Sequence, residues 1–219
     1  MKIIGINGSP RKGWNSAALL DSALDGAKAA GAEVVRYELF DLHFTGCLSC
    51  FGCKRLESPG YAKCNLKDDL TPVIEEILTS DGLIVAAPIY YLETPGAVRN
   101  LYERLLFPAN DYSPDCISTY ERRVPVGLLY TMNAPDPKFN RYLAERDKEM
   151  FDRFLGPTQV LNSVETYQFD DYSKYASSKM DPVARKLRHE TVFPEDCRKA
   201  YALGERLVSQ PGPDLYIKD

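Results

Sequence analysis

The sequence has few histidines, no long apolar run and no excess of basic charge, and each absence excludes a class of protein. No apolar run approaches the roughly 18 residues that a membrane span needs. A formal net charge of -4 at pH 7 gives no basic field for nucleic acid. With only two histidines, no Ser–His–Asp set stands in a recognisable order, so hydrolysis is not indicated. The chain enters a strand pattern with no signal peptide before it, and a cytoplasmic protein is expected.

Short β-branched runs alternate with helical patterns along the whole chain. Parallel strands need crossover connections, so this alternation predicts an α/β fold with a doubly wound five-stranded parallel sheet and helices on both faces. We expect one domain over residues 1–219, with insertions at about 107–123 and 168–193. The predicted strands are 2–6, 32–40, 82–88, 124–131 and 158–167, and the predicted helices are 16–30, 69–80, 95–106, 137–155 and 194–209.

The first predicted turn lacks the G-x-G-x-x-G and Gly-Lys-Ser/Thr fingerprints but is rich in anion-binding groups. The stretch is GINGSPRKGWNSA, residues 5–17. In a doubly wound fold it lies at the carboxyl edge of the sheet, where ligands bind. Free amides at the helix start, hydroxyls of Ser9 and Ser16, the Asn15 amide and the charge of Arg11 or Lys12 suit one terminal phosphate. The alternative is a helix-capping turn with no ligand.

A second loop follows the most apolar strand at the same edge. Pro88 ends that strand and turns the chain, so backbone amides after it can face a ligand. Tyr90 and Tyr91 offer flat faces for ring contact. The alternative is that the two tyrosines only cover the edge of the sheet.

Four cysteines, Cys47, Cys50, Cys53 and Cys64, lie within eighteen residues with the spacing C-x2-C-x2-C-x10-C. Iron–sulfur clusters favour such compact thiolate sets. Three interpretations stay open: a [4Fe–4S] cluster, a structural zinc held by all four thiolates, and a thiol-rich loop without a metal. The other two cysteines, Cys116 and Cys197, are expected to be ordinary thiols.

Four stretches together resemble the flavodoxin-like FMN reductases and iron–sulfur flavoproteins. They are GSPRKGWNSAALL, KDDL, APIYYLETPGAVRNLYERL and YTMNAP, and the resemblance spans roughly residues 1–165. It implies a flavodoxin-like sheet with strand order 2-1-3-4-5. It also implies non-covalent FMN and, on the four cysteines, a [4Fe–4S] cluster, although the last cysteine gap is longer than is usual in the family. The cofactor-binding residues that we expect are Ser9, Arg11, Lys12, Asn15, Ser16, Ala17, Pro88, Ile89, Tyr90, Tyr91, Leu92, Thr131, Met132 and Asn133.

The resemblance implies an FMN-dependent oxidoreductase. Electrons would pass from NAD(P)H through the flavin to a quinone, a free flavin or an electron carrier, and no side chain is expected to act as an acid or a base. The alternative is an electron-transfer protein that relays electrons between partner proteins such as a ferredoxin. A homo-oligomer, either a dimer or a tetramer, is expected because flavin sites in the resembling family often lie at subunit contacts.

Overall fold

The computed structural model describes residues 1–209 and contains one five-stranded sheet. All strand pairs are parallel and the order is β2-β1-β3-β4-β5, so the predicted fold and strand order are confirmed. The strands are β1 Lys2–Asn7, β2 Glu33–Glu38, β3 Gly82–Pro88, β4 Val126–Thr131 and β5 Thr158–Ser163.

Helices cover both faces of the sheet, as parallel crossovers require. One apolar layer holds the side chains of α1 and α6, and the opposite layer holds those of α2, α3 and α4. The helices are α1 Asn15–Ala29, α2 Leu70–Thr79, α3 Gly96–Leu106, α4 Arg141–Phe154, α5 Pro182–Thr191 and α6 Phe193–Ser209. None of the helices within residues 1–209 is long and apolar enough to cross a membrane.

Several element ends differ from the sequence prediction because local turns compete with the regular pattern. The second strand was expected over residues 32–40, but Leu39–Asp41 turn into a 3-10 helix. The fourth helix was expected from residue 137. There Asp136 accepts a hydrogen bond from the Lys138 amide and holds Pro137–Asn140 as a separate 3-10 turn. Such side-chain capping ends one element and starts another.

The second predicted insertion contains a helix that the sequence analysis missed. Its cap is Asp181, whose carboxylate accepts hydrogen bonds from the amides of Val183 and Ala184, and Pro182 occupies the first helical position. This Asp-Pro start is a known helix signal. It was overlooked because no residue of α5 is buried, so the helix shows no apolar core stripe.

The strand registers bring four strand ends to one edge of the sheet. Asn7 pairs with Ala86, Pro88 with Thr131, and Thr131 with Ser163. The loops that leave β1, β3, β4 and β5 therefore start side by side. The edge that they form is where the sequence places the ligand.

Candidate functional site

Three loops at the carboxyl edge are joined into one pocket by short hydrogen bonds. The Gly8 amide donates to the Ala86 carbonyl at 2.8 Å, and the Ile89 amide donates to the Thr131 carbonyl at 2.9 Å. The hydroxyls of Ser16 and Thr131 lie 2.7 Å apart in a buried contact. The positions of the three loops are thus coupled before any ligand binds.

The turn after β1 is shaped by Asn7, which the sequence analysis did not single out. Its buried side chain accepts a hydrogen bond from the Ser9 amide at 3.1 Å and donates to Glu38 at 2.7 Å. The Ser9 hydroxyl accepts from the Arg11 amide at 3.1 Å, which closes a second small turn. A Cβ added at Gly8 would lie 2.4 Å from Val98, so the backbone passes where only glycine fits.

The start of α1 carries amides and polar side chains that suit an anion. The N-cap position is Trp14, and no side chain caps the helix, so the amides of its first turn have no intrahelical acceptor. Asn15 and Ser16 are buried at this end. The Arg11 guanidinium stacks on the Trp14 ring at 3.6 Å, which keeps a cation next to the turn.

The segment that follows β5 forms a further wall of the pocket. The Tyr167 carbonyl accepts hydrogen bonds from the side chains of Trp14, at 3.0 Å, and Asn15, at 2.6 Å. Arg11 donates to the Gln168 carbonyl at 2.7 Å. Thr166 and Gln168 line the pocket with the predicted residues. Sequence reasoning missed this wall because it is made of backbone carbonyls, which leave no residue signature.

The loop after β3 forms a two-residue hairpin. Tyr90 and Glu93 exchange backbone hydrogen bonds of 2.8 and 3.0 Å. Between them, Tyr91 and Leu92 have φ angles of 50° and 65°, a left-handed turn that normally takes Asn and Gly. Glu93 receives two hydrogen bonds from Arg146, at 2.6 and 3.1 Å. The bonds from Arg146 lower the pKa of Glu93, so the carboxylate stays charged.

The structure gathers most of the predicted cofactor residues but not all of them. Lys12 points away from the pocket and pairs with Asp41 at 2.7 Å on the exposed surface. Ala17 is buried in α1, while Tyr91 and Leu92 are exposed at the tip of the hairpin. The predicted residues that line the pocket are Ser9, Arg11, Asn15, Ser16, Pro88, Ile89, Tyr90, Thr131, Met132 and Asn133.

One buried polar atom of the pocket residues indicates that a polar ligand binds there. The side-chain oxygen of Asn133 is buried and has no hydrogen-bond partner among residues 1–209. Such an atom is costly to leave unpaired. With the uncapped helix start and the glycine turn, it makes the residues fit a ligand that combines a phosphate with a hydrogen-bonding ring, as FMN does.

The cysteine loop, residues 42–69, leaves β2 at the same edge and has an irregular backbone. Ser49, Phe51, Glu57 and Ala62 adopt left-handed φ angles between 51° and 61°. Only a 3-10 turn, Gly52–Lys54, interrupts the irregular chain. A non-glycine residue in this region is strained. Side-chain and backbone contacts must therefore hold the loop.

The ten residues between Cys53 and Cys64 form a closed excursion. The Ala62 amide donates to the Cys53 carbonyl at 2.9 Å, so the chain returns to its starting point just before the fourth cysteine. Asn65 fills the inside of the bend, and a Cβ on Gly60 would lie 2.0 Å from its side-chain oxygen. Despite the long gap, the chain around the fourth cysteine thus lies close to Cys53.

The thiols fit a thiolate-bound group in their chemistry, although they are not gathered around one point. Within residues 1–209, no three Cys, His, Asp or Glu side chains form a group that could hold a metal ion. Cys50 is exposed, so binding by all four thiols requires its segment to close inward. Burial raises the pKa of the Cys53 thiol, and the nearby Cys64 and Cys47 add to this effect while Lys54 opposes it.

The two carboxylates just before α2, Asp68 and Asp69, contact the cysteine loop and the helix behind it. Asp69 occupies the N-cap position of α2, but its side chain does not cap the helix and instead accepts a hydrogen bond from the His43 amide at 2.8 Å. Asp68 accepts from the Leu70 amide at 3.2 Å and pairs with the buried Arg104. Both carboxylates thus fasten the end of the cysteine loop.

Comparison with known proteins gives matches in sequence and in structure. Residues 1–115, more than half of the chain, match the family model described as NADPH-dependent FMN reductase. An iron–sulfur flavoprotein of Methanosarcina thermophila is 35% identical over 104 residues, which are 48% of this chain and 52% of that protein. One from Archaeoglobus fulgidus is 31% identical over 106 residues, covering 48% and 46%. The chain spans about half the length of the curated relatives it matches.

Solved structures show the same fold at low sequence identity. An NAD(P)H:quinone oxidoreductase from Methanothermobacter marburgensis superimposes with a TM-score of 0.64 and 15% identity, covering 94% of this chain and 96% of that one. An azoreductase from Bacillus anthracis gives a TM-score of 0.62 at 14% identity, covering 94% and 99%. These likenesses extend over the part of the chain beyond the family match.

Proposed function

The chain belongs to the NADPH-dependent FMN reductase family, and on that premise we propose that it is an oxidoreductase that binds FMN and takes electrons from NAD(P)H. The observation that carries this proposal is the pocket formed by the three coupled loops. It contains the uncapped start of α1 and the unpaired side-chain oxygen of Asn133. The acceptor that we propose is a small molecule, namely a quinone, a free flavin or an electron carrier.

Each part of the pocket has a proposed role. The turn from Ser9 to Ser16 holds the phosphate through amides, hydroxyls and the Arg11 charge. Pro88 to Tyr90 and Thr131 to Asn133 border the ring from two sides. Tyr91 and Leu92, at the tip of the hairpin, cover the outer edge of the ring.

In this proposal the residues of the chain bind FMN, orient its ring and shield it from water. Bound FMN supplies the two-electron chemistry between the nicotinamide and the acceptor. The amides of Ile89 and Tyr90 already donate to backbone carbonyls, so the amides at the tip of the hairpin are the ones that would donate to the polar edge of the ring. The Arg146–Glu93 pair holds that hairpin in place. No side chain is assigned as a general acid or base.

Titration with FMN and reaction with NADPH test the proposal. We expect the purified chain to take up FMN and the visible flavin absorbance to bleach on anaerobic mixing with NADPH or NADH. Ser16→Ala removes the hydroxyl that contacts Thr131 and should weaken FMN binding about tenfold, which corresponds to about 1.4 kcal/mol. Ser22→Ala is the matched control, since that hydroxyl bonds the Ala18 carbonyl and the Cys197 side chain and does not line the pocket. A chain that takes up no FMN would overturn the proposal.

A second candidate function is favoured by the cysteine loop and by the names of the sequence relatives, which are iron–sulfur flavoproteins. In this case Cys47, Cys50, Cys53 and Cys64 hold a [4Fe–4S] cluster, and the chain relays electrons between partner proteins such as a ferredoxin. Assays of iron and sulfide after anaerobic purification test the cluster. A flavin that is reduced by a ferredoxin-like donor and not by NADPH would favour this relay over the first proposal.

The domain organisation, the oligomeric state and the location of the protein are proposals as well. We propose one FMN-binding domain over residues 1–219, of which 210–219 lie outside the described residues, with the insertions 107–123 and 168–193 as parts of it. We further propose a cytoplasmic homo-oligomer, a dimer or a tetramer, that acts on neither nucleic acid nor membranes. Light scattering on the FMN-loaded protein would show a single subunit if the oligomer is absent.

A further inference from the structure

Arg104 is an arginine in the apolar layer of the fold, with 1% of its surface exposed. It lies in the last turns of α3, among residues that pack against the sheet. A guanidinium at such a position is costly unless charged and polar partners surround it. Its partners therefore show what the residue does.

The partners of Arg104 lie at both ends of the cysteine loop. Its Nη1 donates to the Thr45 carbonyl at 3.3 Å, two residues before the first cysteine, and pairs with the Asp68 carboxylate after the last one. Its Nη2 donates to the Thr71 hydroxyl at 3.4 Å. One planar fork thus ties the entry of the loop to its exit, a geometry that lysine cannot reproduce.

The third nitrogen of the Arg104 guanidinium contacts a sulfur. Nε donates to Cys64 Sγ at 3.3 Å. The closed excursion between Cys53 and Cys64 brings this thiol back from one side, and Arg104 holds it from the other. Cys64 is therefore fixed in two directions, whereas Cys50 is exposed.

We propose that Arg104 is the positioning residue of the cysteine loop: it fixes the Cys64 sulfur, ties the loop's entry to its exit, and raises the reduction potential of the group that the thiols bind. This inference rests on the second proposed function for the identity of that group, a cluster held by four thiolates. N–H donors to the sulfurs and nearby positive charge raise the potentials of such clusters. Arg104 supplies both from a site that water does not reach.

The test compares Arg104→Lys and Arg104→Met with the native chain, and Arg122→Met is the matched control. Arg122 pairs with Asp81 at the opposite edge of the sheet. The first measurement is hydrogen exchange of residues 45–68 in the FMN-loaded chain without iron. Arg104→Met should speed exchange there about tenfold and leave β1 and β3 unchanged. Arg122→Met should leave residues 45–68 unchanged.

The second measurement uses the chain reconstituted anaerobically with iron and sulfide. Arg104→Lys keeps the charge and loses the Nε–Sγ bond, so it should retain iron but show a lower reduction potential. Arg104→Met loses the charge as well, so it should retain less iron, and the clusters that it does form should have a still lower potential. If Arg104→Met does not fold, Arg104→Lys alone decides the outcome.

The possible failures are distinguishable. A native chain that binds no iron overturns the second proposed function, and the hydrogen exchange of residues 45–68 still tests the anchoring. Exchange, iron content and potential that match the native values in both Arg104 variants overturn the inference.

Discussion

The phosphate turn, residues 8–14, and the cysteine loop, residues 42–69, leave neighbouring strands at the same edge of the sheet, but they are built differently. The phosphate turn is short, lies between β1 and α1, and is fixed by the buried Asn7. The cysteine loop is long and holds four of the seven left-handed non-glycine residues found among residues 1–209. The backbone of the turn is thus shaped by a side chain next to it in sequence, whereas the two ends of the loop are held by Arg104, which lies 36 and 59 residues from its partners there.

A bulky side chain at Gly8 should have the largest effect on the phosphate turn. Gly8→Val places a Cβ 2.4 Å from Val98 and 3.1 Å from the Ala86 carbonyl, so the turn must move away from β3. We expect FMN binding to weaken by about 3 kcal/mol or more, roughly 100-fold, with a smaller loss of unfolding free energy. FMN titration and urea denaturation measure the two effects.

Gly13→Ala is the control in the same turn. A Cβ at Gly13 meets no atom of the described residues within 4 Å, so binding and stability should change little. Equal losses in Gly8→Val and Gly13→Ala would show that the turn is not held in the register described above.

Much of the turn and little of the loop could be predicted from the sequence. Strand and helix periodicity place Ser9 to Ser16 at the carboxyl edge, and the fold class and strand order follow from the same pattern and the family resemblance. The wall made by the Tyr167 and Gln168 carbonyls could not be found, because a carbonyl is common to all residues. Arg104 could not be found either, since its burial depends on partners that lie 36 and 59 residues away in the chain.

Loss of the Lys54 charge should lower the unfolding free energy, because this side chain joins the cysteine loop to the end of α3. Lys54 Nζ donates to the carbonyls of Phe107, Pro108 and Asn110 at the end of α3 and lies 4.4 Å from the Phe107 ring centroid. Lys54→Met leaves these carbonyls without their cation, and we expect about 2 kcal/mol of unfolding free energy to be lost. Urea denaturation measures the loss.

Lys12→Met is the matched control in the phosphate turn, and its effect on unfolding free energy should be below about 0.5 kcal/mol, because the Lys12–Asp41 pair is exposed. A larger loss in Lys12→Met than in Lys54→Met would reverse the comparison between the two regions.

Lowering the pH should destabilise the cysteine loop, because the Asp68 carboxylate becomes protonated. Burial alone would raise the pKa of Asp68, but the hydrogen bond and the charge of Arg104 outweigh burial and hold that pKa below its ordinary value. The stabilisation is therefore complete above the ordinary pKa of about 3.9 and is lost as the pH falls through the lower folded value.

The difference in unfolding free energy between the native chain and Asp68→Asn measures this contribution. It should be largest near neutral pH and shrink at pH values below about 4. Asp25→Asn, on the exposed face of α1, is the control. A difference that grows as the pH falls would contradict the predicted sign.

Relief of backbone strain should give the smallest effect and the only stabilising one. Ala62 has a φ of 58°, and its amide closes the excursion on the Cys53 carbonyl. Glycine adopts this conformation without the steric cost that an L-residue carries, but it also gives the unfolded chain more freedom. Ala62→Gly should therefore raise the unfolding free energy by only about 0.5 kcal/mol. Ala202→Gly, in the interior of α6, should instead lower it by about 1 kcal/mol, and urea denaturation of the two variants shows whether their signs are opposite. Equal losses in both variants would mean that the left-handed residue at position 62 stores no strain, and the excursion would then be as relaxed as the phosphate turn.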